Sequence, residues 1–234
     1  MSRLRLGLLI TTLLACLGGV LPASAAERVA PPTLAQVRSI RAQLYVSFND
    51  RPLLVCHQEY IGTNRFHEVC QQLANVPEQA IPEPDFPWTA GTLKEFVYYD
   101  GISYTRLNAE TTWTAEADPD YNPNPPSIVA AYTYAPAAVL SNLGQLSFGG
   151  KTVTHYQYWT TDKAANQEHH GQAVYDQYVS ADGYVLHDQS NYYGDFPGLG
   201  SGHFSAIWTY TDHNSDAIRI GPPPADRVKA TAGT

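Results

Sequence analysis

Four turn-forming dipeptides divide this chain into hairpins: Asn49-Asp50, Asp100-Gly101, Gly149-Gly150 and Asp182-Gly183. A two-residue turn of this chemistry reverses the chain within one residue step, so the strands that flank it are antiparallel neighbours. The flanking runs carry the period-2 pattern and the β-branched and aromatic residues of strands. They are residues 44–48, 53–61, 65–71, 96–99, 102–107, 111–115, 152–159, 173–179, 184–193 and 204–210. Phe204, Ala206, Trp208 and Tyr210 alternate with Ser205, Thr209 and Thr211, which makes one face buried and one largely wet. No strand-helix-strand alternation occurs, which excludes a parallel sheet. About ten strands in one sheet must curl or split. The length of 234 residues suits a single all-β domain. A chain with 12% aromatic and only 15% charged residues has enough apolar surface to bury, which excludes disorder for its bulk.

One hairpin predicts a covalent bond. The run 53–61 reaches Gly62-Thr63-Asn64 and returns as 65–71. A three-residue loop pairs Ile61 with Arg65, and counting outward sets Tyr60 opposite Phe66, Glu59 opposite His67 and Cys56 opposite Cys70. The register alone brings the two sulfurs face to face, and a disulfide across this short loop contributes roughly 2–3 kcal/mol.

The compartment follows from the first 26 residues. Arg3 and Arg5 precede the apolar stretch 6–21, and Pro22-Ala23-Ser24-Ala25-Ala26 is a small-residue cleavage region. This is the layout of a signal peptide, which predicts an exported protein in an oxidising compartment, with no membrane span left after cleavage. Leu13-Leu14-Ala15-Cys16 offers a competing reading as a lipoprotein anchored at Cys16. The residues after Cys16 stay apolar where a tether is polar, and this favours the freely exported form. Removing residues 1–26 leaves 12 basic against 22 acidic residues, a net charge of −10. An acidic surface of this kind argues against nucleic acid as a partner.

Helical signals are few. Thr33 and Gln36 match a capping box, and Leu34, Val37, Ile40 and Leu44 recur at helical spacing, so residues 34–42 are expected to form a short helix. Residues 127–134 and 136–143 read as two short apolar helices, separated at Pro136 and ending at Gly144. The tail 221–234, opening on Gly221 and three prolines, is expected to be disordered. The domain is therefore expected to span residues 27–220.

The order of these elements resembles the LolA-like lipoprotein-carrier superfamily, and within it the exported mycobacterial lipoproteins of the LppX/LprG type. The matching features are the amphipathic N-terminal stretch, the early hairpin, and the segment from Glu95 through Asp100-Gly101 to Arg106 leading to Trp113. The stretch 136–143, the strand 152–159, the Asp182-Gly183 hairpin, and the ending Trp208-Thr209-Tyr210-Thr211-Asp212-His213-Asn214 complete the match. The resemblance covers nearly all of residues 33–222. It implies a mainly β (α+β) fold: a curved antiparallel sheet forming a half-open barrel, with an N-terminal helix and a central short helical lid. Its concave face would hold a lipid or another apolar small molecule.

A carrier of this kind needs a water-poor cavity lined by apolar and aromatic side chains. The candidates for ligand binding are Val129, Tyr132, Val139 and Leu140 on the expected helices, and Tyr98, Trp113, Trp159, Phe204 and Trp208 on strands. His57, Glu59 and His67 share one face of the first hairpin; a solvated cross-strand pair explains them better than a metal site. Motifs of zinc hydrolases, serine hydrolases and phosphate loops are absent from the sequence. The reading is an exported, non-enzymatic carrier with no cofactor, no metal and no catalytic residue. Two alternatives stand beside it: an envelope sensor that docks a partner protein and has a filled core, and a secreted hydrolase using groups such as His155 and Asp176.

Overall fold

The computed structural model describes residues 27–62, 64–76, 89–120, 138–160, 171–196 and 198–230. Among the described residues, thirteen strands make one sheet. They are β1 (Glu27–Arg28), β2 (Ser39–Phe48), β3 (Arg51–Ile61), β4 (Arg65–Gln72), β5 (Leu93–Tyr99), β6 (Ile102–Leu107), β7 (Trp113–Ala117), β8 (Ala138–Phe148), β9 (Lys151–Thr160), β10 (Gly171–Ser180), β11 (Val185–Phe196), β12 (Gly200–Thr211) and β13 (Val228–Ala230). Their spatial order is β1-β8-β9-β10-β11-β12-β2-β3-β4-β5-β6-β7-β13. All pairings are antiparallel except β13 with β7. The first and last strands of this order are edges, so the sheet is curved but open and does not close into a barrel.

The expected turns form where their chemistry demands. Asn49 and Asp50 have φ of 47° and 63°, and Asp100 and Gly101 have 46° and 90°, the doubly positive pattern that joins two strands by two residues. The Cys56–Cys70 bond is present, and Cys56 opposes Cys70 in the ladder as Glu59 opposes His67. The Asp182-Gly183 turn is longer than expected. Ser180 N–H donates to Tyr184 O and Gly183 N–H to Ser180 O, so three residues form the loop and Gly183 alone takes a positive φ, 86°.

Register divides the side chains between two faces. On the inner face, Ile40, Ala42, Tyr60, Phe66, Tyr98, Val179, Val185 and Tyr210 form one buried cluster, with Leu34, Val37, Phe96, Tyr156 and Trp208 packed against it. This cluster joins strands from β9 to β5. A second inner cluster, Val46, Leu53, Ala74, Val76 and Ala206, lies toward the other strand ends. On the outer face, Val97, Tyr104 and Trp113 are covered by Ile218 and Ile220 of the segment that follows β12.

Three expectations are corrected. Residues 34–42 form no helix: the chain reaches β2, which begins at Ser39, without regular structure. Ile40 and Leu44, which fit helical spacing, fit period 2 equally with Ala42 between them, and β2 gains ladders on both sides, with β12 and β3. Leu34 and Val37 still serve the core, as packing against the inner cluster. The expected helix 136–143 is replaced by β8, which starts at Ala138, pairs with β9 and shifts register between Asn142 and Gly144, where φ is 100°. The bulge explains the glycine that the helical reading used as a stop. Residues 127–134 lie outside the described residues, as does the signal segment 1–26. Among the described residues there is no α-helix, and hence no helix long enough to cross a membrane. The tail, expected to be disordered, is placed as far as Ala230: a short 3-10 turn, Ala225–Arg227, leads into β13, which pairs with Trp113, Thr114 and Ala115 of β7.

Gly183 ties the N-terminal segment to the sheet. Its carbonyl accepts the Ala35 N–H at 2.9 Å, and a Cβ there would lie 3.0 Å from Thr33 O and Ala35 N. Gly101 has a similar φ with open space around it. Gly183→Ala is expected to cost roughly 2–3 kcal/mol and Gly101→Ala about 1 kcal/mol in urea unfolding, because only the first adds a backbone clash to the φ strain.

Candidate functional site on the inner face

Strands β9 to β12 turn a row of rings toward the inner face, because the ladder sets alternate residues in line. Tyr158 is opposite Tyr175, Tyr175 opposite Ser190, and Tyr192 opposite Phe204. Tyr158 stacks on Tyr175 with centroids 4.7 Å apart and planes 8° apart. Tyr175 meets Tyr192 edge-on at 6.1 Å, and Tyr192 lies 6.2 Å from Phe204. Phe204 stacks on Phe196 at 5.7 Å, and Phe196 meets Phe48 at 5.6 Å. Six rings thus run without a break from β9 to β2. Leu140 of β8, opposite Tyr158, is buried at the near end of the row.

Beside this row lies a polar spot with few partners. Gln177, Asp188 and Trp208 occupy one rung of β10, β11 and β12. Asp188 is 2% exposed. Its Oδ1 has no hydrogen-bond partner, and neither has the indole Nε1 of Trp208; both atoms are shut off from solvent. Burial, assisted by the Asp176 charge on the opposite face, pushes the Asp188 carboxyl up to about 7, against a smaller opposing pull from the Gln189 backbone. Tyr175, one rung along, has its phenol raised by burial and by its neighbours Tyr192 and Asp188.

The sequence-predicted lining residues separate into groups. Phe204 and Trp208 of β12 come together on the inner face, packed against the second cluster, and Leu140 of β8 shares that face four strands away. Tyr98 is on the same face, but it sits inside the solid cluster with Tyr60 and Phe66. Trp113 is on the outer face, buried beneath Ile218 and Ile220, with the Arg106 guanidinium 4.7 Å above its ring. Val139 and Trp159 oppose each other in the β8–β9 ladder, at the positions that alternate with Leu140 and Tyr158. Val129 and Tyr132 lie outside the described residues. Sequence reasoning missed Tyr156, Tyr158, Tyr175, Tyr192 and Asp188. The signal for Tyr156 and Tyr158 was their i, i+2 spacing within β9; Tyr175 and Tyr192 carry no such spacing. No signal marked Asp188, because its burial depends on the strands that flank it on both sides, β10 and β12.

The outer face carries charge instead. A groove of about 440 Å³ is lined by residues of β2, β3, β4 and β12, among them Arg41, His57, Glu59, His67 and Thr209. His67 faces Glu95 through Nε2 at 3.0 Å and Glu59 through Nδ1 at 3.8 Å, and Arg41 binds Glu59 at 2.7 Å and Asp212 at 2.9 Å. The carboxylates beside His67 are therefore shared with arginines, since Arg106 also holds Glu95. Among the described residues, the group with metal-ligating atoms close together is Cys56, Glu68 and Cys70, and the disulfide consumes both of its thiols. His155 and Asp176, the pair named for a hydrolase, do meet: Nε2 lies 2.7 Å from Oδ1, to which Gln157 also donates at 3.0 Å. The two partners of that carboxylate oxygen are thus an imidazole and an amide.

No family model matches the sequence, and no curated protein matches it. Solved structures are similar to it in the path of the chain. The Mycobacterium tuberculosis lipoprotein LppX is 9% identical, with 79% of this chain and 90% of that one covered and a TM-score of 0.36. LprF from Mycobacterium bovis is 10% identical over 80% and 90%, with a TM-score of 0.49. A LolA superfamily protein from Nitrosomonas europaea is 8% identical over 79% and 86%, with a TM-score of 0.24. The names LolA and LppX, which the sequence resemblance raised, both recur here. The likenesses bring no residue or ligand to this chain.

The raised carboxyl of Asp188 has a consequence for stability. A folded-state value of about 7, above the ordinary 3.8, favours the native state while the group stays protonated; that contribution is complete below pH 4 and is lost as pH rises through 7. Asp176 and the Tyr175 phenol are the titratable groups that act on it. Asp188→Asn is expected to stabilise the protein at pH 8, by up to about 4 kcal/mol, and to change stability little at pH 4. Urea unfolding at the two pH values reads this directly; equal effects at both would refute the assignment.

Proposed function

We propose that this protein is an exported, non-enzymatic carrier that holds a lipid or another apolar small molecule on the inner face of its curved sheet. The observation that carries the reading is the unbroken row from Tyr158 through Tyr175, Tyr192, Phe204 and Phe196 to Phe48 along one face of an open, curved sheet. Rings placed this way offer broad apolar contact while each tyrosine keeps a polar tip for orientation. The open edges at β1 and β13 let the sheet flex without breaking a closed ladder. Binding and release on such a surface need no cofactor and no chemistry. The signal-like segment before Glu27 supports export, and the disulfide supports an oxidising destination.

A second reading, a sensor or protein-interaction module with a filled core, draws on the solid packing of Ile40, Tyr60, Phe66 and Tyr98 at one end of the inner face. Native mass spectrometry separates the two. A carrier purified gently from its host shows adducts of lipid mass that vanish on organic extraction; an interaction module shows the bare chain. Replacing Tyr192 by Ala removes the ring that links the two halves of the row, and is expected to weaken binding of the hydrocarbon dye diphenylhexatriene about tenfold, the equivalent of one ring contact. Unchanged dye binding in a folded variant would count against the inner face as the site.

A further inference from the structure

We infer that the rung formed by Asp188 and Trp208 holds the head group of the cargo, and that this head is uncharged and carries a hydroxyl, as in a partial acylglycerol, rather than a free carboxylate or an amine. The inference deepens the carrier reading above and rests on it.

Asp188 Oδ1 and Trp208 Nε1 are buried and have no hydrogen-bond partner, and their residues are directly opposite on neighbouring strands of one face. Native proteins leave few such atoms, since each has lost its water and gained nothing in return. The two atoms differ in kind. The indole N–H can only donate, whereas the carboxyl oxygen can accept. One hydroxyl answers both, accepting from Trp208 and donating to Asp188.

Charged heads fail on one side. A carboxylate accepts from Trp208 but sets a second negative charge against Asp188. No compensating cation is at hand, because the described inner-face positions of β9 to β12 carry no Lys, Arg or His; His155, His187 and His203 belong to the outer-face register. An ammonium group would suit an ionised Asp188 and leave the indole N–H unanswered. The burial that raises the Asp188 carboxyl to about 7 adds to the mismatch with a carboxylate, as it shows how poorly this place tolerates charge.

The rings continue from the same point. Tyr175 and Ser190 lie one rung from Asp188, and Tyr192 and Phe204 lie one rung further. A head at Asp188 therefore leaves its chain along the aromatic row. Two rungs cover about 13 Å of strand, the reach of about ten methylene groups.

Displacement of diphenylhexatriene from the full mature chain by 1-monooleoylglycerol, oleate and oleylamine at pH 8 tests the inference. The wild type is expected to prefer monooleoylglycerol over each charged lipid by about tenfold or more, and Trp208→Phe and Asp188→Leu to bring that ratio within about twofold. Circular dichroism checks each variant's fold, and Trp208→Phe, which removes the N–H while keeping a smaller aromatic ring, decides alone if Asp188→Leu does not fold. A wild type that binds the dye yet shows no preference, or a folded Trp208→Phe that keeps it, overturns the head-group assignment and leaves the carrier reading standing. A wild type that binds neither dye nor lipid overturns both.

Discussion

Continuous antiparallel pairing is the constraint on which the rest of this molecule depends. From β8 to β7 each strand is held by its neighbours on both sides, and register decides for every residue which of two faces it occupies. The disulfide ties β3 to β4 at one fixed register, and the hairpin turns at Asn49-Asp50 and Asp100-Gly101 do the same at the strand ends. Three register shifts, in the pairings β2–β3, β8–β9 and β10–β11, adjust the alternation locally. Each shift moves every later residue of its strand relative to its partner, so small irregularities determine large parts of each surface.

The two faces consequently took different characters. The inner one collected aliphatic and aromatic side chains, together with the buried rung of Gln177, Asp188 and Trp208. The outer one collected ion pairs and imidazoles, with one apolar patch at Val97, Tyr104 and Trp113 that the segment after β12 covers. Both chain ends act as straps. Residues before β2 lean on the inner cluster through Leu34 and Val37, and residues after β12 lean on the outer patch through Ile218 and Ile220. Their packing supplies cover on both faces without any α-helix among the described residues.

The reading of the site depended on distinctions finer than pattern. Phe204 and Trp208 were recognisable because their strand alternates except at Ile207, and both reach the inner face. Trp113 has the same chemical type in a strand of the same kind, yet parity put it on the other side under Arg106. The run Ala138-Val139-Leu140 is apolar on successive positions, which suits a buried helix and a doubly paired strand equally; β9 was there to pair with it. Ile40, Ala42 and Leu44 presented the same ambiguity, and the two ladders of β2 resolved it.

The amino-acid order by itself determined what depends on neighbours within a few residues: the hairpin positions, the Cys56–Cys70 pairing and the antiparallel character. Turn geometry and two-residue periodicity are local, so local residues suffice to specify them. Only the assembled sheet decided that Asp188 would be stripped of water beside an unanswered indole, that six rings would fall into one row, and that the C-terminal segment would form a strap. Those outcomes require strands from distant parts of the chain to meet. Burial and charge tolerance arise from the whole set of neighbours and are written in no single stretch.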